Sequence, residues 1–114
     1  MPSAVASVNL TGNTKSQSGS LRPNDQIAPK GMYIVSGYIS VTTVGVGASL
    51  TPSITYNDGT LSRTLNCSVI DASAQNYGSF SKTIVSDGHD DISWSVTLTG
   101  SAIYNIVITL EKIS

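Results

Sequence analysis

Residues 32–44 form the longest segment in which apolar and polar side chains alternate with a period of two. Such alternation, built from β-branched and aromatic residues, is typical of a half-buried β-strand. The apolar face is predicted to be the core face of a central strand, and it carries Tyr33, Val35, Gly37, Ile39 and Val41. A glycine in the middle of a strand indicates a bend, a bulge or the close approach of another backbone.

Shorter segments with the same alternation flank this strand, and turn residues separate them. The strongest hairpin signal is Asn-Asp-Gly at residues 57–59, because Asn and Gly accept the positive φ angles of two-residue turns. Pro52 cannot donate to a ladder, which predicts a sheet edge or a bulge there. Further strands are predicted over residues 4–10, 26–28, 49–56, 61–69, 79–85, 92–99 and 103–113. About eight short strands and no helix of ten residues predict an all-β fold, an antiparallel β-sandwich of jelly-roll-like or Greek-key type.

The first twenty residues differ from the rest of the chain. After the strand at residues 4–10, residues 11–20 are polar, include two glycines and have no periodicity. A connection of this length is either functional or mobile. The pattern therefore predicts a flexible N-terminal arm with a short strand at residues 1–20, followed by a β-sandwich domain at residues 21–114.

Composition predicts a surface of hydroxyl and amide groups with few ions. Charged residues make up 11% of the 114-residue chain, against about 25% in ordinary domains, while Ser and Thr supply about a quarter. The net charge is −1 and the six Lys and Arg are scattered, so nucleic-acid binding by phosphate neutralisation is not expected. No apolar run is long enough to cross a bilayer, which predicts no membrane partner. The single cysteine, Cys67, excludes an intramolecular disulfide and is expected to be a small buried side chain.

The densest polar cluster contains Asp87, His89, Asp90 and Asp91. Carboxylate oxygens suit Ca²⁺, but the ligand spacing and terminal Glu of a hand-type calcium loop are missing. The favoured interpretation is a solvated turn, and the sequence leaves open whether the three aspartates bind a cation. His89 is the only histidine and lacks the pattern of a base with an orienting partner. No catalytic residue and no cofactor are predicted.

Two tyrosines are placed where a core role does not explain them. Tyr38 shares its strand face with hydroxyl residues, and Tyr77 lies in a predicted loop. Most other aromatic residues fall on inner faces, where burial accounts for them. An exposed aromatic ring can instead pack against a partner or against the apolar face of a pyranose. Tyr38 and Tyr77 are therefore predicted to lie on a contact surface.

Several segments resemble, in order, the small all-β virion proteins and domains of tailed bacteriophages. They are Gly-Met-Tyr-Ile-Val-Ser-Gly-Tyr-Ile at residues 31–39, a strand and Asn-Asp-Gly hairpin at 49–59, Asp-Ile-Ser-Trp-Ser-Val at 91–96 and Tyr-Asn-Ile-Val-Ile-Thr-Leu-Glu-Lys at 104–112. The resemblance covers residues 28–113. It implies a domain that sits on the capsid as a cement or decoration protein, or on a tail or fibre as an adhesion module, commonly as a trimer.

Two features of the chain favour a capsid cement protein over a fibre. The domain fills nearly the whole chain and leaves no shaft segment, and the N-terminal arm is expected to lie across neighbouring subunits. The resemblance implies a non-enzymatic homotrimer that binds the major capsid protein on the outer capsid surface of the virion and is assembled in the host cytoplasm. The arm residues predicted to contact a neighbouring subunit are Val5, Val8 and Leu10, together with Tyr38 and Tyr77. The alternatives are a tail or head-fibre adhesion module that binds host-surface carbohydrate and, less favoured, a small glycan hydrolase with paired carboxylates.

Overall fold

Nine β-strands build the fold in the computed structural model, which describes residues 3–113. They are β1 (Ser3–Asn13), β2 (Gln17–Leu21), β3 (Gly31–Thr43), β4 (Ser49–Asn57), β5 (Ser62–Asn66), β6 (Ile70–Asp71), β7 (Tyr77–Ser86), β8 (Ile92–Thr99) and β9 (Ile103–Lys112). One turn of 3₁₀ helix at Pro23–Asp25 follows β2. The all-β prediction is confirmed.

The strands form two antiparallel sheets that pack face to face. One sheet has the order β1-β9-β3-β7, and the other has the order β2-β8-β4-β5 with β6 beside β4. From β1 to β4 and again from β7 to β9, successive strands alternate between the sheets. This arrangement is that of a jelly roll, in which two Greek keys make a double sheet. The predicted β-sandwich is therefore confirmed, including its jelly-roll-like topology.

The strand β3 occupies the central position that its sequence predicts. It pairs with β9 on one side and with β7 on the other, and Tyr33, Val35 and Ile39 on its inner face are fully buried. Gly37 lies opposite Phe80 of β7, and a Cβ atom at residue 37 would overlap the Phe80 ring. The glycine therefore marks the close approach of an aromatic side chain, where a bend, a bulge or a neighbouring backbone was expected.

The core lies between the two sheets and is built from the alternating residues of β3, β4, β8 and β9. Burial of this apolar surface supplies the main driving force for folding. Two core tyrosines keep their hydroxyl groups hydrogen-bonded at the margin of the sandwich. The Tyr33 hydroxyl donates to the Pro29 carbonyl oxygen at 2.6 Å, and the Tyr104 hydroxyl donates to the Lys15 carbonyl oxygen at 2.7 Å.

Residues 3–13 and 17–21 belong to the two sheets, which corrects the expected arm. The strand β1 pairs with β9 from Ser3 opposite Lys112 to Asn13 opposite Tyr104, and β2 pairs with β8 along its whole length. The prediction of a polar loop at residues 11–20 is wrong. Gln17–Leu21 forms β2 through main-chain hydrogen bonds to β8, although its sequence lacks an alternating hydrophobic pattern. Residues 1 and 2 of the proposed arm lie outside the described residues.

Two turn predictions need adjustment. The hairpin between β4 and β5 is present, but its loop contains the four residues 58–61, with Gly59 at φ 95°, where a two-residue turn was expected. Pro52 lies in an inner strand and not at an edge. Its carbonyl oxygen accepts a hydrogen bond from the Cys67 amide at 3.0 Å, in the gap where β4 pairs with neither β5 nor β6. The missing N–H of proline therefore interrupts no ladder.

The β4–β5 loop predicts a measurable pH effect. Asp58 accepts hydrogen bonds from the amides of Leu61 and Thr60 and from Arg63 Nε at 2.8 Å. These contacts, with the Leu61 amide foremost, lower the pKa of Asp58 from 3.8 to about 2. Because the folded-state pKa is depressed, the stabilisation is present above pH 3.8 and is lost as the pH falls toward 2.

Carboxyl-carbon NMR titration of Asp58 should therefore give a midpoint near 2. In the Arg63→Ala variant the midpoint should rise, because one charge-assisted hydrogen bond is lost, yet stay below 3.8 because both amides still donate. An unchanged midpoint in Arg63→Ala would contradict the role assigned to the arginine. Ser36→Ala, which changes a side chain on the other sheet, should leave the midpoint of Asp58 unchanged.

Candidate functional site

The outer face of the four-stranded sheet brings the two singled-out tyrosines together. Tyr38 of β3 and Tyr77 of β7 are 48% and 71% exposed. The register pairs Tyr38 with Ser79 and Ser40 with Tyr77, so the two rings are diagonal neighbours on one face. They stack with centroids 5.9 Å apart and an interplanar angle of 20°. Tyr77 is the first residue of β7, whereas the sequence predicted that it lies in a loop.

A cleft of about 260 Å³ opens beside this pair, between the β6 region and β7. Ile39, Pro52 and Phe80 contribute apolar surface to its lining. Tyr77 lies at the margin where the cleft meets the outer face of the four-stranded sheet. Gly78 allows the two walls to meet, because a Cβ atom there would lie 2.8 Å from the Ile70 Cδ1 atom. The cleft therefore lies where the edge of one sheet approaches the edge of the other.

Polar groups also line the cleft. Asp71 accepts two hydrogen bonds from Ser73 through one carboxylate oxygen, which lowers the pKa of Asp71. The Asn76 Nδ2 atom donates to the Asp71 carbonyl oxygen at 2.9 Å, and the Asn76 carbonyl oxygen accepts from the Val41 amide at 3.0 Å. The loop at residues 72–76 is thereby anchored to both sheets. Sequence reasoning missed Asn76, since an isolated polar loop residue carries no periodic signal.

The acidic cluster divides between separate partners, as the favoured turn interpretation predicts. Asp87 accepts hydrogen bonds from the amides of His89 and Asp90, which close the turn and lower its pKa. The Asp91 carboxylate instead accepts two hydrogen bonds from Arg22, one from Nε at 2.8 Å and one from a terminal guanidinium nitrogen at 2.6 Å. Among residues 3–113, no three His, Cys, Asp or Glu side chains gather closely enough to hold a metal ion.

Cys67 is buried at the cleft, as predicted. Desolvation raises the pKa of its thiol, and Lys82 acts weakly in the opposite direction. The thiol form is the poorer nucleophile. The geometry therefore assigns Cys67 a packing role.

The predicted contact residues do not form one surface. Val5, Val8 and Leu10 lie on β1, at the sheet edge opposite β7, and are partly buried against the core. The register shifts between Ala4 and Ala6, and Val5, which lies at this shift, packs against the core. Their contact with a neighbouring subunit stays a prediction. Val107, 40% exposed and directly opposite Tyr38, is an outer-face residue that the prediction did not include.

Comparisons with known proteins show the fold. No family model and no curated protein sequence matches the chain. The PRD1 vertex protein P5, a phage virion protein, superposes with a TM-score of 0.59 at 17% identity, covering 98% of this chain and 99% of its own. The CBM22-1 and GH10 modules of xylanase Xyn10B from Clostridium thermocellum, complexed with xylohexaose, superpose with a TM-score of 0.57 at 12% identity. The match covers 100% of this chain and 29% of that chain.

At these identities the likeness establishes a shared sandwich architecture. Within residues 3–113, no helix has the length and hydropathy that a bilayer crossing requires. The question of role therefore turns on the outer face and the cleft.

Proposed function

We propose that this chain is a non-enzymatic structural protein of a bacteriophage particle, a cement or decoration protein that binds the major capsid protein on the outer capsid surface as a homotrimer. The observation that carries the proposal is the outer face of the four-stranded sheet. On it, exposed Tyr38 and Val107 adjoin each other within a surface of hydroxyl and amide side chains. The likeness to vertex protein P5 supports the proposal because it spans nearly all of both chains.

The chemistry of this face suits a repeated contact on a protein lattice. One row of paired residues crosses the sheet without a charged side chain, and it consists of Asn9, Val107, Tyr38 and Ser79. An aromatic and an aliphatic side chain supply apolar area, and the surrounding hydroxyls tolerate trapped water. Each such contact is weak, but many copies held on one shell gain avidity. Binding to the assembled shell alone then stabilises it by mass action.

Particles that lack the protein are expected to release their DNA at a lower temperature than complete particles. Added wild-type protein should restore the release temperature. A Tyr38→Ala/Val107→Ala double variant should not restore it, because the apolar part of the contact is gone. The measurement is dye-detected DNA release on heating, together with the copy number of this protein relative to the shell protein by quantitative mass spectrometry.

The matched control is Thr97→Ala, which changes an exposed side chain on the outer face of the other sheet and should restore the release temperature fully. Equal heat resistance of depleted and complete particles would reject the cement role. A copy number of only a few per particle would place the protein on a tail or fibre.

A second candidate, an adhesion module of a tail or head fibre that binds host-surface carbohydrate, is favoured by the Tyr38–Tyr77 stack beside the cleft. An aromatic ring held in place next to convergent polar groups is an arrangement typical of small-ligand sites. The xylanase chain that contains a sandwich of this fold is complexed with xylohexaose.

A further inference from the structure

We propose that the cleft between β6 and β7 binds one neutral pyranose ring, with Tyr77 as the stacking platform. The inference rests on the carbohydrate-adhesion candidate and goes further by assigning the site and the sugar class. It does not depend on the cement role, which uses the outer face near Val107.

The aromatic platform is set before a ligand arrives. Tyr77 is 71% exposed, and the stack with Tyr38 restrains its ring. A side chain already held in its bound orientation lowers the entropic cost of binding. The C–H face of a pyranose packs on such a ring. Because Tyr77 also lines the cleft, a sugar on its ring lies next to the polar groups there.

The dimensions of the cleft leave room inside it for one sugar ring. Its volume of about 260 Å³ lies just below the roughly 300–1,000 Å³ that is typical of pockets for drug-sized ligands. Ile70 closes one wall, where it packs against the backbone of Gly78. A longer glycan would therefore place one residue in the cleft and leave the others along the sheet edge.

The polar lining offers both donors and acceptors for sugar hydroxyls. Ser68 and Ser79 line the cleft, and their hydroxyls make no hydrogen bond to another described residue. Asn76 uses its Nδ2 atom toward Asp71, which leaves the Oδ1 atom as an acceptor. Asp71 uses Oδ1 toward Ser73 and keeps Oδ2 as a second acceptor. Serine hydroxyls can both donate and accept hydrogen bonds. These lining side chains can therefore pair with a sugar hydroxyl whether it donates or accepts.

Charge selects against acidic sugars. Among residues 3–113, Asp71 is the only charged residue that lines the cleft, and no Lys or Arg lines it. Lys82 on β7 is close enough to influence Cys67 but does not line the cleft. A carboxylate sugar would meet a carboxylate without the guanidinium partner that such recognition usually employs. Neutral pyranosides are therefore the expected class.

The test is an NMR titration of the full chain with methyl β-D-glucopyranoside, methyl β-D-galactopyranoside, methyl β-D-xylopyranoside and glucuronic acid. At least one neutral glycoside should bind saturably, with amide shifts centred on residues 68–71 and 76–80, and glucuronic acid should bind at least tenfold more weakly. Tyr77→Phe should bind within about threefold of wild type, since the ring remains. Tyr77→Ala should bind at least tenfold more weakly, which corresponds to about 1.4 kcal/mol.

Thr97→Ala is the matched control and should bind as wild type does. Folding of every variant is verified by the unchanged amide shifts of β9, which pairs with neither β7 nor β8. If wild-type protein binds none of the neutral glycosides, both the site and the adhesion candidate are overturned. If it binds one but Tyr77→Ala binds equally well, or the shifts fall elsewhere, the adhesion candidate stands and the assigned site is wrong. Equal binding of glucuronic acid would overturn the charge argument.

Discussion

Replacing Gly45 with alanine is expected to destabilise the fold strongly, although it adds only a methyl group. Gly45 lies in the β3–β4 connection, where a Cβ atom would overlap the Ser101 carbonyl oxygen and lie 2.8 Å from its carbonyl carbon. Both neighbours are backbone atoms, so no side-chain rotation relieves the overlap. The Gly45 amide also donates to the Ala72 carbonyl oxygen at 3.0 Å, and its carbonyl oxygen accepts from Ala48 at 3.1 Å. A backbone shift at Gly45 would strain both hydrogen bonds.

The expected loss is at least about 3 kcal/mol, the upper end for overpacking, out of the roughly 5–15 kcal/mol that stabilises an ordinary domain. Urea unfolding followed by circular dichroism measures it. Gly47→Ala in the same connection is the matched control, because a Cβ atom there meets nothing within 4 Å and only the φ of 70° opposes it. That variant should lose about 1 kcal/mol. Equal stability of the two variants would contradict the packing described at Ser101.

Replacing Ile106 with alanine should give the second large effect. Ile106 is fully buried on β9, between β1 and β3. Truncation removes apolar surface and leaves a cavity, because the flanking strands cannot close over it. The expected loss is about 2–5 kcal/mol, measured as a lower urea midpoint with an unchanged slope.

The neighbouring residue provides the control for this substitution. Val107 follows Ile106 on the same strand but faces outward and is 40% exposed. Val107→Ala should change stability by less than about 0.5 kcal/mol. A larger loss from Val107→Ala than from Ile106→Ala would mean that the inner and outer faces of β9 are assigned the wrong way round.

The strands that alternation predicted are those with one fully buried face. On β8, Ile92, Trp94 and Val96 are buried while the intervening serines are not, so the pattern and the packing coincide. The strand β2 escaped prediction because three of its five residues are Ser or Gly. Its Gly19 packs against the indole of Trp94, since a Cβ atom would lie 3.1 Å from Trp94 Nε1. A glycine that packs closely because it has no side chain leaves no hydrophobic signal in the sequence.

The two tyrosines of the candidate site were predictable from the sequence, but their arrangement as a site was not. Tyr38 stood out because its face is otherwise polar, and Tyr77 because its surroundings are a polar loop. Their stacking depends on the register that sets Ser40 opposite Tyr77. Register is set by which face of each strand is buried and by the geometry of the turns, and the sequence of one strand alone does not show the pairing. For the same reason, alternation does not encode the local register shift on β1 at which the partly buried Val5 lies.

The pairing of Ser3 with Lys112 has a consequence for how fast the native state forms. The first and last strands are partners, so their ladder must close a loop of almost the entire described chain. The chain loses the entropy of closing that loop before the contacts between β1 and β9 compensate for it. Folds dominated by such distant pairings fold in milliseconds to seconds. During synthesis β1 has to wait until β9 leaves the ribosome. Until then the edge of β3 that pairs with β9, already translated, lacks its partner and needs protection from association with other chains.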